Sequence, residues 1–218
     1  MLPMFPLNTV LFPGTVVPLR VFEDRYRALV HHLVREDDPA ARLFGSVGIR
    51  EGYEVGDHGA QSLFRVGCRL QLTSVTALAD GGFDIEAVCR DRIRLDELVT
   101  SGPFPEGRVT EVDSSEEDVA RPIVDRALAM WHAYRIAVAE LREDPDPGTL
   151  PNDPTYLSWT LSALAPLPMS DRQALLECDD AALRLTLVTD LLRTELQAMN
   201  VIPSLPATQV ARTRWSPN

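Results

Sequence analysis

Lysine is absent from this sequence of 218 residues, and all 21 of its basic residues are arginine. A nucleotide-binding P-loop, a Ser-Lys peptidase dyad and Schiff-base chemistry each depend on a lysine amine. The sequence therefore excludes these three kinds of site, and with them the usual machinery of an ATPase or of a lysine-dependent peptidase.

Cysteine and long apolar runs are also scarce. The three cysteines, Cys68, Cys89 and Cys178, are odd in number and far apart, which disfavours a disulfide framework and favours buried thiols in a reducing compartment. No run approaches the roughly 18 apolar residues of a membrane span, and no basic segment precedes the first apolar run as in a signal peptide. We therefore expect a cytoplasmic protein that does not enter a membrane.

Acidic residues outnumber basic ones by 32 to 21, which gives a formal net charge of -11. A field of this sign repels phosphate backbones, and a nucleic-acid site would need a local basic patch that overcomes it. The charge therefore predicts that nucleic acid is not a partner.

The histidines and serines form no catalytic or metal-binding pattern. The chain has four histidines, His31, His32, His58 and His132. None has a partner at a typical spacing, and the two that are adjacent point apart on a helix. Ser46 follows Phe44-Gly45, which lacks the first glycine of the G-x-S-x-G motif. The sequence predicts a non-catalytic protein without a metal or a cofactor.

The amino-terminal segment predicts two short strands followed by a helix. Pro13-Gly14 is a turn signal between two apolar runs, and their prolines favour edge or bent strands. Apolar residues then recur at helical spacing, at Phe22, Tyr26, Leu29, Val30 and Leu33. We expect Glu23 and Arg25 to cap backbone groups where strand and helix meet, with Tyr26 packed beneath them.

This segment resembles the opening of the Lon substrate-binding domain family, the amino-terminal domain of Lon proteases. The residues that carry the resemblance are Phe5-Pro6-Leu7, Phe12-Pro13-Gly14, Pro18-Leu19 and Phe22-Glu23-x-Arg25-Tyr26, with weaker matches at Phe44-Gly45, Asp80-Gly81-Gly82-Phe83-Asp84-Ile85 and Arg92. The resemblance implies a PUA-like antiparallel β pseudo-barrel. It also implies a polypeptide-recognition module, here a stand-alone form without the ATPase and peptidase domains.

The next part of the chain continues the β pattern. Apolar and polar residues alternate from Phe64 to Leu72, and the parity slips at Ser74-Val75, which predicts a β-bulge or a new strand. Asp80-Gly81-Gly82 has the composition of a hairpin turn, and a last strand is expected at Gly107–Val112. Several short curved strands predict an antiparallel, barrel-like unit over residues 1–112.

The second half of the chain predicts helices. Ser114 and Glu117 are spaced as a capping box at the start of a long amphipathic helix that ends near residue 143. Asp153 and Pro154 suit the start of a second helix, and Ser170 with Gln173 forms another capping box. The last helix is predicted to start at Asp179-Asp180 and to present one apolar face, formed by Leu183, Leu187, Leu191 and Met199.

The predicted fold class is therefore α+β, with a PUA-like antiparallel pseudo-barrel over residues 1–112 and a C-terminal helical bundle over 113–202. Residues 144–154 are expected to be a loop. Residues 203–218 show no periodicity and are expected to form a mobile tail.

The favoured function is recognition of unfolded polypeptide or of a partner protein. Exposed aromatic anchors where the sheet meets the helices would suit it, and the candidates are Phe104, Trp131, Tyr134, Tyr156 and Trp159. The glycine-rich segment from Glu51 to Gln61 is the second place to look. Two alternatives stay open. The first is a nucleic-acid binder, because PUA-like folds in other families bind RNA, and the second is a small-molecule enzyme with a pocket near His58. The oligomeric state is open as well.

Overall fold

The computed structural model describes residues 1–50, 63–113, 118–141 and 148–201. The chain divides into two compact units, Met1–Asp113 and Ser114–Asn218. This division falls one residue beyond the boundary predicted from the change of pattern. The glycine-rich segment, the first predicted capping box and the predicted tail lie outside the described residues.

The first unit consists of an antiparallel sheet and one α-helix. Its elements are β1 (Leu2–Pro3), β2 (Val16–Val21), α1 (Asp24–Leu33), a short 3-10 turn (Pro39–Ala41), β3 (Leu43–Ile49), β4 (Leu63–Ala77), β5 (Phe83–Val99) and β6 (Glu106–Val112). The strand order is β1-β6-β5-β4-β3, and β2 pairs with β5 outside this path. The curled sheet closes about half of a barrel, so the predicted α+β class and antiparallel pseudo-barrel are confirmed.

The curl of the sheet comes from two long strands with register shifts. β4 and β5 pair along most of their length, and one of their shifts lies between Leu72 and Ser74, where the alternation slips. The predicted bulge is therefore confirmed. At the end of β4 the chain turns at Gly81, which has a φ of +81° that suits glycine. The N–H of Gly82 donates to the carboxylate of Asp80 over 3.0 Å.

The core of this unit lies between the curled strands and the amino-terminal segment. Met4, Val47 and Leu95 are almost fully buried in one cluster. The segment that includes Met4 runs parallel to β3 through bridges at Gly45 and Gly48. Burial of this apolar area provides most of the favourable free energy of folding of the unit.

The second unit contains four described helices, α2 (Arg121–Leu141), α3 (Pro154–Leu164), α4 (Met169–Glu177) and α5 (Ala181–Val201). The helix α5 packs against the other three. Asp153 caps α3 as predicted, because its carboxylate accepts from the N–H of Tyr156 over 3.0 Å. Asp180 plays the same role for α5 toward Leu183, over 2.6 Å.

Three details of the helical prediction were wrong. The helix α2 begins at Arg121, and residues 118–120, through which the predicted helix ran, are not helical, since Pro122 is tolerated only in the first turn and disfavours helix before it. Ser170 lies inside α4, whose N-cap is Pro168, so the second capping box does not form. On α5 the predicted apolar face was wrong at its start, because Leu183 is 64% exposed, although Met199 is buried as predicted. The buried face instead carries Leu185, Val188 and Leu192.

Candidate functional site

Three of the five predicted aromatic anchors are buried and cannot serve as exposed contacts. Trp131, Tyr134 and Trp159 are each almost fully buried in the helical unit. Trp131 stacks on Tyr134 with ring centroids 6.2 Å apart. The Cζ atom of Arg184, itself fully buried, lies 3.2 Å from the centroid of the Trp159 ring. The prediction was wrong for these residues because core packing requires large aromatic area, and helical spacing alone does not separate a core face from a contact face.

The other two candidates are accessible, and each belongs to a different unit. Tyr156 is 59% exposed in the first turn of α3. Phe104 is partly exposed in a shallow hollow of about 540 Å³ that His31, His32 and Arg35 also line. The rings of Phe104 and His32 lie 5.1 Å apart, whereas His31 contacts Phe83 at the same separation. The adjacent histidines therefore point to different aromatic rings.

A second concave feature of the first unit is a groove beside β2. It has a volume of about 250 Å³. Its lining residues are Phe5, Pro6, Leu7, Asn8, Leu19, Arg20, Val21, Phe22, Glu23, Arg25, Tyr26 and Ile49. Most of these belong to the motifs that carry the family resemblance. The amino-terminal segment forms one wall, β2 forms the other, and the start of α1 closes one end.

Two stacked, buried aromatic rings form the floor of the groove. Phe5 stacks on Tyr26 with ring centroids 4.0 Å apart and an angle of 28° between the ring planes. Both residues are buried, as expected for Tyr26. Burial raises the pKa of the Tyr26 phenol, although the neighbouring Arg25 opposes this effect. The Cζ atom of Arg25 lies 4.6 Å from the centroid of the Tyr26 ring, which is a cation–π distance.

The rim carries an ion pair instead of the predicted side-chain caps. The Nη2 atom of Arg25 lies 2.7 Å from a carboxylate oxygen of Glu23, and its Nε donates to the same oxygen over 2.9 Å. The side chain of Glu23 makes no capping hydrogen bond to α1. Its backbone carbonyl instead accepts from the N–H of Tyr26 and of Arg27. The pair leaves this part of the rim without net charge.

Sequence reasoning also placed Phe22 wrongly, and this residue lies at the groove. Its side chain is 72% exposed at the groove, and it is not part of the buried face of α1. The reason is local: α1 begins at Asp24 with Glu23 as N-cap, so Phe22 precedes the helix. In the alternation of β2, the preceding Val21 faces the core. That alternation, followed one residue further, was the available signal for an outward Phe22.

The described residues also show whether this part of the chain holds a metal-binding group, a reactive serine or a membrane-spanning helix. No group of three or more His, Cys, Asp or Glu side chains is placed to hold a metal ion in the part of the chain that the structure describes. Ser46 is buried within β3, where a substrate could not reach its hydroxyl. His132 is exposed on α2, and His58 lies outside the described residues. Among the described helices, none is long and apolar enough to cross a membrane.

Comparison with known proteins agrees with the geometry of the first unit. The family model of the ATP-dependent protease La (LON) substrate-binding domain matches residues 1–194. Lon protease 2 of Myxococcus xanthus is 28% identical over 98% of this chain and 26% of its own length. Lon protease of Escherichia coli is 23% identical over 92% of this chain and 25% of its own. The chain thus spans about a quarter of the length of these relatives.

A solved structure shows the same fold. The Lon N-terminal domain protein from Xanthomonas campestris superposes with a TM-score of 0.63 at 24% identity, over 85% of this chain and 94% of that one. The amino-terminal domain of the Mycobacterium avium complex Lon protease gives a TM-score of 0.59 at 19% identity, over 88% and 97%. From the family match along most of its length, the chain belongs to the LON substrate-binding domain family.

Proposed function

We propose that this protein is a non-catalytic module that binds exposed apolar segments of unfolded or partner proteins, in a setting of proteolysis or protein quality control. Membership of a substrate-binding domain family supports recognition of protein substrates. The observation that carries the choice of site is Phe22, which is 72% exposed at the rim of an apolar groove. The groove, rather than a surface made of all five predicted aromatic residues, is the proposed binding site.

The groove suits an apolar side chain for two physical reasons. Its walls provide apolar contact area from Leu7, Leu19 and Ile49 over a floor that the Phe5–Tyr26 stack already holds in place. A preformed site loses little conformational entropy on binding. An aromatic side chain such as Phe22 is the type of residue that contributes most to binding energy in protein interfaces.

Charge supports a polypeptide partner over a nucleic acid. Among the described residues, Glu23 is the one acidic residue that lines the groove, and it is paired with Arg25; the chain as a whole has a net charge of -11. A phosphate backbone would need several basic contacts to overcome such a field. An uncharged apolar segment needs none.

The test is truncation of Phe22 with a matched exposed residue as control. A suitable probe is fluorescein-labelled, reduced and carboxymethylated α-lactalbumin, a permanently unfolded chain, followed by fluorescence anisotropy. We expect Phe22→Ala to weaken binding by about 1–2 kcal/mol, or roughly 5- to 30-fold in Kd. Leu183→Ala removes an exposed apolar side chain from α5 and should leave the affinity unchanged.

Two further variants separate the groove from the earlier candidates. Phe104→Ala and Tyr156→Ala each truncate an accessible aromatic residue outside the groove. We expect both to bind the unfolded probe within about twofold of the unchanged protein. If Phe22→Ala binds the probe as tightly as the unchanged protein and either of these variants binds it more weakly, the site lies outside the groove.

A further inference from the structure

The sheet has an open edge beside the groove. Within the described residues, β2 pairs with β5 alone, so its second edge has no neighbouring strand. Leu19, Arg20 and Val21 of β2 form one wall of the groove. An unpaired strand edge presents backbone N–H and C=O groups that can pair with another extended chain.

The register identifies which backbone groups of β2 point outward. The N–H of Cys89 in β5 donates to the carbonyl of Thr15 over 2.9 Å, so the backbone groups of alternate residues from Val17 onward point to β5. Those of Pro18 and Arg20 therefore point away from β5. Pro18 supports this parity independently, because a proline within a strand is tolerated where no ladder donor is needed.

The opposite wall of the groove is arranged in the same way. The N–H of Phe5 donates to the carbonyl of Gly45 over 2.8 Å, and that of Leu7 donates to the carbonyl of Val47 over 3.1 Å. Pro6 lies between these two residues, so its backbone points away from β3. Both walls thus place a proline at an outward backbone position.

We propose that the groove binds its polypeptide partner in an extended conformation, as a short strand added to the outer edge of β2. This inference rests on the function proposed above. Two amides of the partner, two residues apart, donate to the outward carbonyls of Pro18 and Arg20. The outward N–H of Arg20 donates to one carbonyl of the partner. An apolar side chain of the same segment packs against Phe22 in the groove. This is strand addition, in which backbone bonds give affinity and pockets select side chains.

The size and charge of the groove define the partner. Its volume of about 250 Å³ equals that of roughly eight water molecules, which is room for one or two apolar side chains and not for a folded element. Glu23 is paired with Arg25, and Arg20 lies 3.8 and 3.9 Å from carboxylate oxygens of Asp80 and Asp84, so the charged side chains that line the groove are compensated by neighbouring charges of opposite sign. An uncharged extended segment therefore complements this site.

Backbone methylation of a peptide tests the strand directly. The probe is a fluorescein-labelled nine-residue peptide with alternating leucine and serine, and N-methyl groups are introduced at one position at a time. We expect methylation at two positions separated by one residue to weaken binding about tenfold, because each removes an amide donor to β2. Methylation of the residue between them changes the affinity by less than about twofold, since that amide points away from the edge.

Two variants of the protein test the same bond from the other side. Arg20→Ala removes the side chain and its long contacts to Asp80 and Asp84 but keeps the N–H. Arg20→Pro also removes the N–H, which the β5 ladder does not use. We expect Arg20→Pro to bind the peptide at least about fivefold more weakly than Arg20→Ala. If Arg20→Pro does not fold, the methylation series on the unchanged protein decides the question.

The possible failures are distinguishable. If Phe22→Ala weakens binding but methylation has no alternating effect, strand addition is overturned and recognition of apolar side chains by the groove stands. If neither the peptide nor unfolded α-lactalbumin binds, the proposed function is overturned together with this inference.

Discussion

A methyl group at Gly67 provides a strong test of the half-barrel. Gly67 lies in β4 directly opposite Val47 of β3. A Cβ atom at this position would lie 2.0 Å from the backbone carbonyl oxygen of Ser46 and 2.7 Å from a side-chain carbon of Val47. The first of these contacts is with backbone, so it cannot be relieved by a side-chain rotation. Gly67→Ala therefore requires β3 and β4 to move apart.

The expected cost can be estimated from two opposing effects. Overpacking in a core costs about 1–3 kcal/mol and occasionally more, and a clash with backbone belongs at the upper end. Replacing glycine by alanine in a strand returns about 0.5–1 kcal/mol of conformational entropy. We expect a net loss of about 2–3 kcal/mol in the free energy of unfolding, or roughly 5–15 °C in the Tm of this unit.

The assay must report on the first unit. All three tryptophans lie beyond residue 113, so tryptophan fluorescence does not observe the sheet. Hydrogen exchange of the β3 and β4 amides and thermal unfolding followed by circular dichroism both report on the sheet. Gly102→Ala is the matched control, because its added Cβ would meet only one backbone oxygen at 3.5 Å, an ordinary contact. Equal stability of the two variants would refute the close approach of β3 and β4.

Two predictions concern charged groups of the helical unit. Arg184→Lys should lower the free energy of unfolding by roughly 2–4 kcal/mol, measured by urea unfolding followed by tryptophan fluorescence. The buried guanidinium donates to Ser158 and to the carbonyls of Leu175 and Cys178, and an ammonium group cannot reproduce these three contacts. A loss under about 0.5 kcal/mol would contradict this prediction. Burial, and secondarily Asp171, raises the pKa of Glu195, so its ionisation disfavours the folded state as pH rises. Glu195→Gln should therefore raise the Tm at pH 7. It should not raise the Tm below about pH 4, where Glu195 is protonated in both the folded and the unfolded state. Glu140→Gln, at an exposed position, should leave the Tm unchanged at both pH values, and a Tm gain of Glu195→Gln that persists in acid would show another cause.

The sheet was largely predictable because its signals are local. Strand alternation has a period of two, so the slip at Ser74-Val75 marks a bulge wherever one face is buried. The turn at Asp80-Gly81-Gly82 and the cap at Asp153 each depend on chemistry within four residues. None of these features needs a distant part of the chain to be known in advance.

The candidate site was not predictable to the same degree, because burial is decided by distant contacts. Trp131 and Trp159 have the same helical spacing that an exposed anchor would have, and only the packing of neighbouring helices separates the two cases. The start of the apolar face of α5 was predicted wrongly for a related reason. Arg184 is fully buried, which places Leu183 outside, and a polar residue at a core position breaks the apolar pattern.

Phe22 illustrates how two periodicities compete at a junction. In the helical period of α1, Phe22 continues an apolar face. In the period of two of β2, it comes after the buried Val21 and therefore points to solvent. The N-cap at Glu23 decides between them, because α1 begins at Asp24 and its fourth residue is Arg27, so no apolar residue of the first turn is placed to pack on Phe22 as in a hydrophobic staple.

An exposed aromatic residue beside an open strand edge would ordinarily promote self-association. The prolines of the groove limit this risk. Pro18 removes one donor from the outer edge of β2, and Pro6 removes one from the opposite wall, so a long ladder with a second copy cannot form. A short ladder beside Arg20 is still possible. Backbone hydrogen bonds depend little on the partner's sequence, so a few of them, combined with one apolar contact at Phe22, would give weak and tolerant binding. That combination suits a module whose partners share an unfolded state and no common sequence.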